Sequence, residues 1–385
     1  MRRTLPLAVL LAAGTAVAVL PAQAAPAPAP DRKQLVKAMD QALRDGAPGV
    51  LAAAGDTSGD WWASRGTADT RTGRRAVPAD RFRAASLTKT FTATTVLQLV
   101  GEKRVRLDDT VERWLPGLVQ GNGHDGTKVT VEQLLNHTSG IPTYTLPLFT
   151  DFEKHRYRTY TPQQLVQAGI SEKPLFPPGT RWSYSNTNYV LLGLVIEKAT
   201  GRTHGAEVKR RILDPLKLRD TYLAGAAPTI QGPHPRGYEG PLWGRPMGDV
   251  TELNATWAYA GGNLVSTVGD LRRFMGALAG GKLLRPELLT RMTTPWRDSS
   301  YGLGIARTKL ACGVEVLWHN GMIFGYHSLL ASTLDGRHTL AYNTNSMTGN
   351  KADLTLAHGL QAGAFNAEFC GGASTTRSVQ LPTLG

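Results

Sequence analysis

The chain has 385 residues, 41% hydrophobic and 19% charged, which excludes a disordered or fibrous polymer and provides for a sizeable core. Its 43 basic residues against 30 acidic ones give a net charge of +13. The short basic runs, Arg81/Arg83, Lys209-Arg210-Arg211 and Arg272-Arg273, lack interleaved aromatics, which argues against a nucleic-acid partner.

Residues 1–24 read as a removable export signal, with Arg2 and Arg3, then an apolar run, then Ala22-Gln23-Ala24 as the cleavage site. Residues 25–32 form a Pro/Ala linker, 33–372 the folded domain, and 373–385 a polar, disordered tail. No later apolar run reaches the roughly 18 residues that span a bilayer. The expectation is a soluble, secreted monomer without a transmembrane anchor.

A first helix is predicted over 33–44 and a strand hairpin over 50–54 and 60–64. A second helix begins near Ser86, with Phe91, Leu97 and Val100 on its buried side. Capping boxes at Thr130 and Thr161, an apolar helix over 188–200 ended by Gly201, and a helix opened by Thr267 and closed by Gly280-Gly281 make a helical lobe. The last hundred residues turn to strands, at 301–307, 314–319, 326–333 and 339–343, separated by turn signals at Cys312-Gly313, Asn320-Gly321 and Asp335-Gly336. A terminal helix follows over 353–365. The fold class expected is α/β (α+β): an antiparallel sheet from both chain ends (33–85 and 295–372), flanked by the terminal helices, with a large helical lobe (86–294) inserted.

Two cysteines, Cys312 and Cys370, suggest one disulfide in an oxidising compartment, worth on the order of 4 kcal/mol by the chain-entropy account. Without histidines at ligand spacing they suggest no metal site, and no cofactor is expected.

Ser86-Leu87-Thr88-Lys89 is an S-x-x-K at a helix start, where the lysine amine reaches the serine hydroxyl one turn away. An adjacent amine can activate a serine nucleophile, and the helix N-terminus suits an oxyanion. The alternative, a capping serine beside a solvated lysine, fits poorly with the apolar neighbours Ala84, Ala85, Leu87 and Phe91. Tyr184-Ser185-Asn186 precedes the apolar helix; its phenol becomes a base only beside a cation, and its amide can orient a carbonyl, though a plain asparagine cap has the same pattern. His319-Asn320-Gly321 ends a predicted strand, where the histidine can offer charge to a substrate carboxylate and the glycine admits close approach. His124-Asp125-Gly126 is read as a surface loop; it completes a G-x-G-x-x-G that lacks the βαβ setting of a dinucleotide site.

Taken together these motifs, with Leu115-Pro116-Gly117, Asn136-His137-Thr138-Ser139-Gly140, Pro178-Gly179 and Tyr301-Gly302-Leu303-Gly304, resemble the class C β-lactamase-related, penicillin-binding superfamily, and within it the secreted D-alanyl-D-alanine carboxypeptidases. The resemblance implies a β-lactamase/transpeptidase-like fold and an acyl-enzyme on Ser86, with Lys89 and Tyr184 sharing the proton transfers. The backbone N–H groups of Ser86 and Met322 form its oxyanion hole. Asn186, His319, Asn320 and Gly321 contact substrate, and Trp257 and Phe149 line the acyl side or simply pack. His137 is read as a structural turn residue. The implied partners are peptidoglycan stem peptides or small D-peptides, with β-lactams as covalent inhibitors. The alternatives are a D-stereospecific peptidase, amidase or esterase, a β-lactamase, or a non-catalytic penicillin-binding protein. Asn320 replaces the carboxypeptidases' usual threonine, and Ala306 stands where their arginine is expected, with Arg307 next to it.

Overall fold

The computed structural model describes residues 32–240, 248–347 and 363–371. The expected leader, nearly all of the linker, the start of the terminal helix and the tail beyond residue 371 lie outside the described residues.

The helix α1 (Arg32–Arg44) buries Leu35, Met39 and Ala42 along one stripe. β1 (Gly49–Asp56) and β2 (Gly59–Asp69) form the expected hairpin, and β1 is buried on both faces. Val50, Ala52 and Ala54 join the core under the terminal helices, while Leu51 and Ala53 join the larger core shared with the helical lobe. Two short strands, β3 (Arg74–Arg75) and β4 (Phe82–Ala85), lead into the helix α2 (Thr88–Gly101).

The helix α2 is buried all round rather than on the one face expected, and Val100 is only half-buried. Its threonines tolerate this because each hydroxyl finds a carbonyl: Thr90 donates to Gly304 O at 2.9 Å, Thr92 to Ala260 O at 2.7 Å and Thr94 to Thr90 O at 2.7 Å. The helices α3 (Val131–Leu135) and α4 (Pro162–Ile170), each with a complete capping box, pack on α5 (Asn186–Thr200), which lies against α2 and ends at Gly201 with φ 71°. β5 (Leu264–Ser266) pairs with β4, and α6 (Val268–Ala279) is capped by the Thr267 hydroxyl and stacks Phe274 on Phe91.

The closing strands are β6 (Ala306–Lys309), β7 (Glu315–Ile323), β8 (Tyr326–Thr333) and β9 (Thr339–Thr344). The seven-stranded antiparallel sheet runs β6-β7-β8-β9-β1-β2-β3, so β1 joins the two chain ends, with Val50 opposite Thr344. Two expectations fail here. Of the strand over 301–307, only a bridge from Tyr301 to Ala306 and the start of β6 remain. Asn320-Gly321 is not a turn: β7 continues to Ile323 and reverses at Phe324-Gly325, where Gly325 has φ 78°. Asn-Gly favours a tight hairpin locally, but pairing with β8 and packing on β4 override it.

The helix α7, residues 363–369, covers the sheet face that α1 covers. It is tied down by the Cys312–Cys370 disulfide, Cα to Cα 5.7 Å, and by Arg32, which pairs with Asp56 at 3.0 Å and Glu368 at 2.6 Å. Among the described residues no helix is long and apolar enough to cross a membrane.

Candidate active site

Ser86 lies in the two-residue turn between β4 and α2, just ahead of the helix, and is not the capping serine of the alternative reading; Leu87 takes the cap position without a side-chain hydrogen bond. Ala85, just before it, has φ 51°, a costly conformation for a residue with a Cβ, and one that turns Ser86 sharply out of the strand. Lys89, one turn on, is fully buried. Its Nζ lies 3.0 Å from Ser86 Oγ and donates to Asn186 Oδ1 and Gly261 O, both at 2.8 Å. The Tyr184 phenol also hydrogen-bonds Ser86, and Lys89 Nζ stands 4.9 Å from the Tyr184 ring centre. Hydroxyl, amine and phenol thus meet although the first comes from the β4–α2 turn, the second from α2 and the third from the approach to α5.

A narrow cleft of about 40 Å³ opens over Ser86, lined among others by Tyr144, Asn186, Trp257, Gly261 and Met322. With Asn186 Oδ1 occupied by Lys89, the amide presents its NH₂ side as donor. Trp257 is fixed by the Tyr144 hydroxyl, which donates to its carbonyl at 2.6 Å. Phe149 does not line the cleft; it packs edge-on against Trp257, ring centres 5.4 Å apart.

β6 stops pairing with β7 at Trp318, so from His319 to Ile323 the edge of β7 facing β4 has no strand partner among the described residues. Gly321 presses on the serine turn: a Cβ there would come 2.3 Å from Ala84 O and 3.1 Å from Ser86 N. The close approach expected of a substrate at this glycine is made by the chain's own turn. Strand alternation sets His319 with Leu317 and Ile323 facing the inter-lobe core, and Asn320 with Trp318 on the opposite face. Asn320 is buried there and does not line the cleft.

Residues 32–364 match the profile of the Beta-lactamase family. The chain belongs to that family. It is similar to penicillin-binding protein 4* of Bacillus subtilis (strain 168), 30% identical over 69% of this chain and 60% of the relative. The match therefore spans about three-fifths of that protein's length. It is also similar to the crystal structure of a D-stereospecific amidohydrolase from Streptomyces sp., 45% identical, TM-score 0.80, covering 89% of this chain and all of that one. The D-amino acid amidase of Ochrobactrum anthropi SV3 superposes with TM-score 0.76 at 27% identity, covering 87% and 97% of the two chains.

Within this beta-lactamase family fold, burial sets the protonation of the site. Desolvation holds the Lys89 amine well below the usual lysine range. It raises the Tyr184 phenol, although the hydrogen bond with Ser86 works the other way. His319 is pushed down to about 3, first by burial and then by Lys89. Its Nδ1 donates to Asn320 O at 2.5 Å, so Nε2 is the acceptor, 2.9 Å from the Tyr301 hydroxyl that donates to it. The positive charge expected on His319 is therefore absent at neutral pH. Arg307 does not stand in for it, being paired with Glu315 at 2.9 Å.

Gly261, Tyr144 and Tyr301 have structural parts in the site that the sequence reading did not give them. The Gly261-Gly262 pair was the available signal for the first, since paired glycines in an apolar stretch often mark close backbone approach. His124, read as surface loop, is instead buried in a two-strand turn, its Nε2 2.8 Å from Glu172 O. Asp56, His338 and Glu368 gather their ligand atoms within 4.8 Å, but Arg32 already pairs with both carboxylates, and the group lies on the outer sheet face, away from the cleft.

Proposed function

We propose that the protein is a secreted serine amidohydrolase that forms an acyl-enzyme on Ser86 and cleaves amide bonds of small substrates with a D-residue on the acyl side. The observation that carries it is the bonding of Lys89. A neutral amine has two N–H donors and one lone pair; Gly261 O and Asn186 Oδ1 take the donors, and the third direction is Ser86 Oγ.

Ser86 Oγ attacks the substrate carbonyl as its proton passes to Lys89 Nζ. The N–H groups of Ser86 and Met322 receive the oxyanion, and the Asn186 amide holds the acyl-side carbonyl. Tyr184, which burial keeps protonated, gives its proton to the leaving nitrogen and recovers one from Lys89. Water then releases the acyl group by the same steps in reverse.

The carboxypeptidase alternative needs a grip on a terminal carboxylate. Among the described residues none that lines the cleft is charged, and His319 is neutral. This favours amides over free acids, as does the 45% identity with the Streptomyces amidohydrolase. Secretion is supported by the leader-like 1–24 and by the disulfide.

The test compares D-alanine p-nitroanilide with its L-enantiomer and with D-Ala-D-Ala, using wild type and Ser86→Ala. We expect turnover of the D-anilide by wild type alone, little of the L-form, and an acyl mass on the peptide containing Ser86. Turnover by Ser86→Ala would refute the nucleophile; faster release from D-Ala-D-Ala would restore the carboxypeptidase reading.

A further inference from the structure

His137 has no part in the steps above, yet it is fully buried and held at φ 63°. It grips the Tyr184 segment at three points. Its backbone carbonyl accepts the Ser183 N–H at 3.0 Å. Its ring Nδ1 accepts the Ser185 N–H at 3.1 Å, and the ring lies against that of Tyr184, centres 4.3 Å apart. The residues on either side of Tyr184 are thus both pinned to one histidine, which leaves the intervening backbone little freedom and fixes the direction in which the phenol leaves it.

The ring is itself held in place. Asn188 Nδ2 lies 3.3 Å from His137 Nδ1, and Asn188 Oδ1 accepts from the Ser139 hydroxyl at 2.7 Å. The Asn136–Gly140 stretch and the start of α5 therefore interlock through side chains. Because Nδ1 accepts, the ring proton sits on Nε2, and Nε2 is buried with no hydrogen-bond partner among the described residues. Among the described residues, all the hydrogen bonding of this imidazole is done at Nδ1.

We propose that His137 is a positioning residue that aims the Tyr184 phenol at Ser86 by holding the amides of Ser183 and Ser185, resting on the roles proposed above for Ser86, Lys89 and Tyr184. The chemistry selects the variants. A left-handed backbone accepts glycine and asparagine most readily. Asparagine places Oδ1 at the same bond distance from Cα as histidine Nδ1, and it can accept the Ser185 N–H; glycine cannot.

The experiment follows the burst of p-nitroaniline from D-alanine p-nitroanilide on the full chain, an amide whose leaving nitrogen needs the Tyr184 proton, reading the acylation rate constant separately from the burst amplitude, which counts competent sites. His137→Asn is expected to keep the amplitude and to react within about threefold of wild type. His137→Gly is expected to keep the amplitude and slow by roughly 30- to 100-fold, the scale of an ångström-sized misplacement. His137→Gly at the wild-type rate constant, whether with full or reduced amplitude, would mean a purely structural residue and overturn the proposal. So would His137→Asn that folds, by circular dichroism, and is slowed beyond tenfold, a result readable even where the glycine variant does not fold. A wild type without a burst that Ser86→Ala abolishes overturns the acyl-enzyme reading beneath it.

Discussion

Replacing Gly321 by alanine tests whether β7 holds the serine turn in place. The added Cβ would stand 2.3 Å from Ala84 O, against an ordinary contact of 3.4 Å or more, and 3.1 Å from both Ala85 Cβ and Ser86 N. These are main-chain atoms and the Cβ of a residue already at positive φ, so no side chain can swing aside. The turn and β7 must part by about 1 Å. Overpacking of this kind costs about 1–3 kcal/mol of stability, and a shift of that size at a nucleophile costs ~100-fold in acylation, or ~2.7 kcal/mol of barrier. Gly49→Ala supplies the control: its Cβ would meet Thr67 O at 2.6 Å, at the β1–β2 junction three strands from β7. Both variants should melt earlier than wild type. Only Gly321→Ala should lose acylation rate, measured by the p-nitroaniline burst at a temperature where both remain folded. Equal rates in the two variants would refute the claim that this contact sets the position of Ser86.

Acylation should rise with pH through the depressed Lys89 value, well below lysine's usual ~10.4, and fall only above tyrosine's usual ~10, since burial lowers the one and raises the other; a single rise centred near 10.4 would contradict a neutral resting amine. Because His319 is pushed down to about 3, KM for an anionic substrate should show no step near the usual histidine value of ~6.5; such a step would place charge on the ring. Reduction or Cys312→Ser with Cys370→Ser should cost about 2–4 kcal/mol in a denaturant titration and leave acylation intact at room temperature, because the bridge ties α7 to the β6–β7 turn on the face away from the cleft.

Local rules that depend on a few neighbours were legible in the sequence. The boxes at Thr130 and Thr161 and the Thr267 cap follow from side chain to backbone bonds within one turn, and the stop at Gly201 from a left-handed backbone whose N–H bonds Glu197 O. Ser86, Lys89, Tyr184 and Asn186 were legible as motifs, and the fold brings their side chains into contact. What failed depends on long-range surroundings. The charge of His319 could not be read from its residue type, because the burial that removes it is created by strands and helices distant in the chain. Asn320-Gly321 carried a turn signal that a neighbouring strand overrode, and with the turn gone the side chains of His319 and Asn320 fell on opposite faces. The helix α2 showed one apolar face, yet its threonines are buried because each hydroxyl meets a carbonyl, and for Thr90 and Thr92 only the assembled lobe supplies it.

The pairing of β1 with β9 also imposes a timetable. A strand near the amino terminus cannot acquire its second neighbour until Thr339–Thr344 leaves the ribosome, which at common elongation speeds of about 5–20 residues per second takes tens of seconds. For that interval one border of the hairpin offers unsatisfied amides to any passing chain, so holding factors, dilution or passage across a membrane while unfolded would decide the yield of this protein more than its final stability does.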